Sequence, residues 1–188
     1  MYHLKEILLS INILFFIYTS NNTLLINYFS IIPHRIIEYN EYYRIFTNVI
    51  THGNIVHLLL NMISLSGLID KLHIRKILLS YYIVGLIFIY GFVYVGLSLI
   101  FKFWFNYTKF YYTGSIGFSG IIFGLLHLYS SRTVSSYFIF LNYRIPMKYY
   151  SFFQLLFVHI IMPNTSFIGH ISGIISSMLL LRFFSYFV

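Results

Sequence analysis

Between Ile77 and Phe101 the chain runs without a single charged side chain. A helix crossing the hydrocarbon of a bilayer needs roughly 20 mostly apolar residues, and this stretch satisfies that length by itself. Buried backbone polar groups in lipid have no water to turn to, so such a run has to be helical. The rest of the sequence is built the same way. Hydrophobic residues make up 59% and charged residues 9% of the 188 positions, whereas soluble domains carry about 25% charged residues. A chain of this kind cannot cover its surface with polar groups, so it reads as one integral membrane domain spanning residues 1–188.

Five further apolar stretches accompany the first. They are Leu8–Tyr28, interrupted by the polar run Thr19-Ser20-Asn21-Asn22-Thr23, then Ile50–Ile69, Ser115–Ser131, Tyr149–Met162 and Ser166–Phe187. Tyr149–Met162 is short, and its span can start earlier, within Tyr137–Tyr143. Six spans follow, with the first kept in the mature chain because no small-residue cleavage site comes after it. The net charge of +8 invites a nucleic-acid reading, but the basic residues are scattered singly between apolar runs. Loops beside membrane helices account for them better. With the N-terminus inside, Lys5, Lys71, Arg75, Lys76, Arg132, Arg144, Lys148 and Arg182 lie inside. Arg35, Arg44, Lys102 and Lys109 then lie outside. That excess favours both termini on the cytoplasmic side. The absence of Cys removes disulfides, thiol nucleophiles and thiolate metal sites.

In such helices the rare polar residues are where chemistry can reside, because each costs free energy in hydrocarbon unless paired or facing a cavity. The second stretch carries His57 and Asn61, spaced i, i+4 and therefore on one helical face. The fourth carries Ser119 within Gly117-Phe118-Ser119-Gly120, and the sixth opens as Gly169-His170-Ile171-Ser172-Gly173. Under the derived orientation all three stretches run from outside to inside. Their polar residues then share one layer, roughly 5–15 Å below the outer surface at about 1.5 Å per residue.

Gly120-xxx-Gly124 and Gly169-xxx-Gly173 are small-xxx-small faces, which let helix backbones approach closely in lipid. Packing one on the other brings the Ser119 hydroxyl within reach of the His170 imidazole, the arrangement that activates a serine. Taken singly, each feature has a plainer reading: Gly and Ser as packing residues, His57 with Asn61 as an interhelical hydrogen-bond pair. The only acids are Glu6, Glu38, Glu41 and Asp70, none in the outer part of these stretches. Catalysis here would use a Ser–His pair without the acid of the familiar triad. Phe123, one turn after Ser119, is placed to support the imidazole ring.

At these residues the sequence resembles the rhomboid family of intramembrane serine proteases. Gly117-Phe118-Ser119-Gly120 matches its G-x-S-G, Gly169-His170-Ile171-Ser172-Gly173 its G-H-x-x-G, and His57-Leu58-Leu59-Leu60-Asn61 its H-x-x-x-N. The resemblance implies an all-α polytopic membrane protein with a six-transmembrane-helix rhomboid core. It implies Ser119 as nucleophile and His170 as general base, with His57, Asn61 and the Ser119 N–H as the oxyanion hole. Gly117, Gly120, Phe123, Gly169, Gly173 and Arg44 would support them. The implied reaction hydrolyses peptide bonds in or near transmembrane segments of protein substrates, which enter laterally past the fifth span, and it needs no metal or cofactor. Tyr43-Arg44 stands where the family usually has Trp-Arg, Phe123 where many members have Tyr, and Ser177 where a glycine is common. Met162-Pro163-Asn164-Thr165-Ser166-Phe167 is similar to the endoplasmic-reticulum class. An endoplasmic-reticulum or secretory-pathway membrane is therefore expected, with mitochondrial and plastid membranes as alternatives.

Competing classes are weaker. No His-Glu-x-x-His occurs, and no acid accompanies the histidines to complete a metal site. Haem ligation by facing histidines would leave Ser119 and Asn61 without a role. A catalytically silent rhomboid-like scaffold, binding membrane helices for quality control or degradation, is the serious alternative. Such relatives usually lack the Ser or the His, and this chain keeps both. His52 reads as structural at the entry to the second span, His127 and His159 as packing or pairing residues away from the site, and His3, His34 and His73 as loop residues.

Overall fold

The computed structural model describes residues 3–184, and of Phe184 only the backbone. Its helices, in chain order, are α1 (Leu4–Thr19), α2 (Thr23–Phe29), α3 (Pro33–Tyr39), α4 (Arg44–Ile50), α5 (Ile55–Lys71), α6 (Lys76–Trp104), α7 (Lys109–Tyr112) and α8 (Ser119–Arg132). A hairpin of β1 (Tyr137–Phe140) and β2 (Tyr143–Pro146) precedes α9 (Tyr150–Ile161) and α10 (Phe167–Phe184).

The charge-free run becomes α6, the one helix among the described residues that is long and apolar enough to cross a membrane alone. A second candidate arises if α4 and α5, bent by 90° at their junction, are counted as one span. The expected second span from Ile50 is thus divided. Asn54 adopts extended backbone and its side chain accepts from His57 N–H at 2.8 Å, which starts α5 at Ile55 as an N-cap does.

The first apolar stretch is also two helices. The Thr19 hydroxyl donates to the Phe15 carbonyl at 2.9 Å, and Asn22 caps α2 by accepting from Leu24 N–H at 3.0 Å. The polar run therefore supplies the hydrogen bonds that end one helix and begin the next. The fourth stretch is shorter than expected at its start. Residues 115–118 are not helical: Ser115 exchanges backbone hydrogen bonds with Ile31, and Gly117 sits at φ +108, a conformation suited to glycine. Tyr137–Tyr143, read as an early start to the fifth span, is instead part of the hairpin, turned at Leu141 (φ 45) and Asn142 (φ 67). Two consecutive positive φ values match the right-handed twist of paired strands. Phe138 and Phe140 anchor that hairpin on Phe153 of α9.

At the centre, α6 packs against α4, α8 and α10, while α8 and α10 share the most extensive interface in the fold. A Cβ on Gly173 would overlap the Gly120 carbonyl oxygen, and one on Gly124 would stand 2.9 Å from the Gly173 carbonyl. The two small-residue faces are therefore in backbone contact, the situation that favours glycine at helix crossings in lipid. Ser177 of α10 is fully buried, its hydroxyl 2.7 Å from the Tyr82 hydroxyl of α6. Elsewhere large apolar side chains face outward, Ile63, Val84 and Ile160 being 69%, 66% and 80% exposed. An outer surface of this kind suits lipid rather than water.

Ahead of α5, the loop helices are pinned by one buried cation. Arg44, 3% exposed, donates to Glu41 at 2.5 Å and to the Asn27 and Ser30 carbonyls at 2.7 and 2.8 Å. Arg35 donates to the same carboxylate, and these hydrogen bonds, Arg35's foremost and opposed by burial, hold the Glu41 carboxyl below the usual carboxylate range. Tyr43 stacks on Tyr28 with ring centroids 5.0 Å apart, so the tyrosine before Arg44 is seated by an aromatic partner of its own.

Candidate active site

Because the chain turns at Gly117, α8 begins at Ser119, with Phe118 as its N-cap residue. Ser119 therefore occupies the first helical turn, whose N–H groups have no intrahelical acceptor. Phe118 N–H points back to His52 Nε2 at 3.5 Å, and Gly117 N–H donates to the Asn48 carbonyl at 2.9 Å. On α10, Ser166 accepts from Gly169 N–H at 3.1 Å and so fixes the helix start one turn before His170.

The Ser119 Oγ and His170 Nε2 lie 3.0 Å apart. Phe123 stacks on the His170 ring, centroids 4.4 Å apart and planes at 26°, as its place one turn after Ser119 suggests. His170 itself is 4% exposed. Both residues line a cavity of about 780 Å³, together with His57, Asn61 and the Met162–Ser166 turn. A Cβ on Gly117 would come 2.6 Å from the His57 ring, so the glycine is what lets that imidazole lie beside the start of α8. Asn61 Nδ2 donates to the His57 carbonyl at 2.8 Å, which uses one of its two amide hydrogens and leaves the other to the cavity.

Of the residues singled out from sequence, Ser119, His170, His57, Asn61 and Phe123 come together around this cavity. Gly117, Gly120, Gly169 and Gly173 do not line it; Gly117 lies against the His57 ring, Gly169 against Ser166 and Ser115, and Gly120 and Gly173 bring α8 and α10 together. Arg44 does not reach it and acts in the loop scaffold. Each acid is engaged elsewhere: Asp70 with Lys5, Glu41 with both arginines, Glu38 with the Tyr111 hydroxyl, and Glu6 near His3. Among the described residues no carboxylate orients His170. Among the described residues no cluster of His, Asp and Glu could hold a metal ion.

Two histidines belong nearer the site than their sequence reading placed them. His52 is fully buried with its ring 5.1 Å from that of His57. His159, expected away from the site, has its ring 5.1 Å from that of His170. The depth reasoning used for the second, fourth and sixth stretches, applied to the end of the fifth, would have found it. His127 pairs with Ser151 at 3.2 Å, outside the cavity.

Comparison with known proteins places this chain in a family. The chain is 30% identical over 152 residues to Rhomboid-like protein 15 of Arabidopsis thaliana, covering 77% of this chain and 37% of that protein. It is 28% identical over 155 residues to Rhomboid-like protein 14, mitochondrial, of the same plant, covering 80% and 46%. Rhomboid-related protein 4 of Rattus norvegicus is 26% identical over 140 residues, covering 73% and 44%. The chain thus spans less than half the length of these relatives. No solved structure matches. The family model described as Rhomboid domain matches residues 39–187, a stretch that takes in every residue of the cavity, and on that match the chain belongs to the rhomboid family.

Proposed function

We propose that the chain is an intramembrane serine protease that hydrolyses peptide bonds in or near transmembrane segments of other membrane proteins. The observation that carries this reading is the 3.0 Å approach of Ser119 Oγ to His170 Nε2 in a cavity large enough for a peptide segment. In the reaction His170 takes the Ser119 proton as Oγ attacks the scissile carbonyl. The resulting oxyanion is met by the Ser119 N–H at the open end of α8 and by donors from His57 and Asn61. Single donors of this kind are worth about 10²–10³ in kcat. His170 then returns the proton to the leaving amine, and water entering from the outer side hydrolyses the acyl-enzyme. Phe123, stacked on the imidazole, holds its plane.

The same reading takes the chain as one rhomboid domain over residues 1–188 with six membrane spans and both termini inside. α1 with α2, α4 with α5, α6, α8, α9 and α10 supply the spans. Its partners are the lipid bilayer and transmembrane protein substrates, without nucleic acid, metal or cofactor. The compartment is an endoplasmic-reticulum or secretory-pathway membrane, with mitochondrial and plastid membranes as the alternatives.

The test is co-expression with a single-span substrate carrying small residues near its outer membrane edge, comparing wild type with Ser119→Ala. A product made by wild type and absent with the variant supports the protease. Binding of the substrate without cleavage by either favours the silent scaffold, and equal cleavage by both removes Ser119 from the mechanism.

A further inference from the structure

His159 of α9 donates from Nδ1 to the Leu155 carbonyl at 2.7 Å. A carbonyl only accepts, so this bond places the hydrogen on Nδ1 and leaves Nε2 with a free lone pair. That Nε2 is buried and has no hydrogen-bond partner. Across from it, His170 has a buried atom with the complementary need. Its Nε2 meets Ser119 Oγ, and as the base it accepts there, so its hydrogen is on Nδ1. His170 Nδ1 is buried and likewise without a partner. An unpaired donor and an unpaired acceptor thus sit on two rings whose centroids are 5.1 Å apart, with planes at 68°. Buried polar atoms left unsatisfied are rare and call for an explanation.

We propose that His159 is a positioning residue for His170, accepting its Nδ1–H through Nε2 as the site engages substrate. This rests on the reading of Ser119 and His170 given above. Phe167 flanks the His159 ring at 5.0 Å and Phe123 holds the His170 plane, so the pair is bounded by aromatic contacts. The other groups facing His170 are Ser119 and Phe123 from α8 and His57 from α5, and none offers a carboxylate. His159 therefore stands where a triad has its acid: a neutral acceptor on a third helix that fixes the tautomer and ring orientation. No proton passes to His159. The Ser119 proton moves to His170 Nε2, and the Nδ1–H stays on His170 throughout.

The full chain, reconstituted in liposomes, is assayed in two ways. One reads kcat and KM on a single-span substrate. The other reads the rate at which a fluorophosphonate labels Ser119, normalised to the folded fraction from thermal melting. His159→Phe keeps a ring against Phe167 but has no acceptor, His159→Leu is a smaller acceptor-free variant, and His159→Gln restores a carbonyl acceptor. The expected result is labelling and kcat about ten-fold lower for both Phe and Leu with KM unchanged, the loss of roughly one hydrogen bond. His159→Gln should recover most of both. Wild-type labelling by the Phe or Leu variant, or no difference between Gln and Phe, overturns the positioning role alone, provided Ser119→Ala is inert. Labelling of Ser119→Ala at the wild-type rate removes the nucleophile reading and this role with it.

Discussion

Gly173→Ala tests the seam on which the site depends. The added methyl would overlap the Gly120 carbonyl oxygen, a backbone atom that cannot swing aside as a side chain can. Non-bonded contacts relax at about 3.5–4.0 Å, so α8 and α10 have to separate by about 2 Å. Ser119 precedes Gly120 by one residue and His170 lies less than one turn before Gly173, so the 3.0 Å approach of Oγ to Nε2 absorbs most of that shift. A misplacement of about 1 Å can cost roughly 10²-fold in rate, and overpacking costs about 1–3 kcal/mol. Gly67→Ala and Gly96→Ala serve as controls, because nothing lies within 4 Å of a Cβ at either position. There alanine should be neutral or stabilising by about 0.4–1 kcal/mol. Thermal unfolding in detergent and steady-state cleavage are measured for all three. Wild-type stability and turnover in Gly173→Ala would refute the claim that backbone contact between α8 and α10 sets the site's geometry.

Phe123→Ala removes the ring stacked on His170, so kcat should fall while Phe123→Tyr, which keeps the stack, stays near wild type; the aromatic pair contributes about 0.5–1.5 kcal/mol. Arg44→Ala takes the donor from the Ser30 carbonyl and one of the donors from Glu41 and from the Asn27 carbonyl, which keeps the Ser30 hydroxyl, and should cost about 1–3 kcal/mol in a denaturation series. The Glu41 carboxyl is held below its ordinary range by the Arg35 and Arg44 hydrogen bonds, against burial. A depressed folded value gives stability that is present above the ordinary carboxylate range, about 4.3, and lost as pH falls through the folded value. Melting temperature followed downward from pH 5 should therefore drop more steeply for wild type than for Glu41→Gln, whose amide does not titrate. Parallel slopes would exclude that contribution. His57→Ala and Asn61→Ala should each lower kcat by about 10²–10³ without altering the melting curve by more than a small amount.

What could be read from sequence was what short spacing encodes. Glycine pairs four apart announced two faces fit for backbone contact, and Gly120 and Gly173 do touch. Ser119 and His170 each adjoin such a face, so their approach followed from the packing. Phe123 over the imidazole followed from one helical turn. What stayed hidden depends on contacts between distant residues or on backbone outside helices. Residues 115–118 look apolar enough to continue a helix, yet pairing of Ser115 with Ile31 and the positive φ of Gly117 keep the helix from starting before Ser119. The hairpin from Tyr137 to Pro146 has the apolar content of a span, and only the turn at Leu141 and Asn142 distinguishes it. Arg44 gave no hint that it would bind two carbonyls from the preceding loop. His159 reads from sequence as a packing or pairing residue away from the site because its sequence neighbours are apolar, and only the packing of α10 against α9 brings it to His170.

The most direct test of the Ser119–His170 account is peptide mapping of the reconstituted chain after fluorophosphonate treatment, in wild type and in His170→Ala. The account expects one adduct, on the peptide carrying Ser119, and its near absence in His170→Ala, because the hydroxyl is then without its base. An adduct of equal yield in both proteins, or one carried by a different residue, would contradict it.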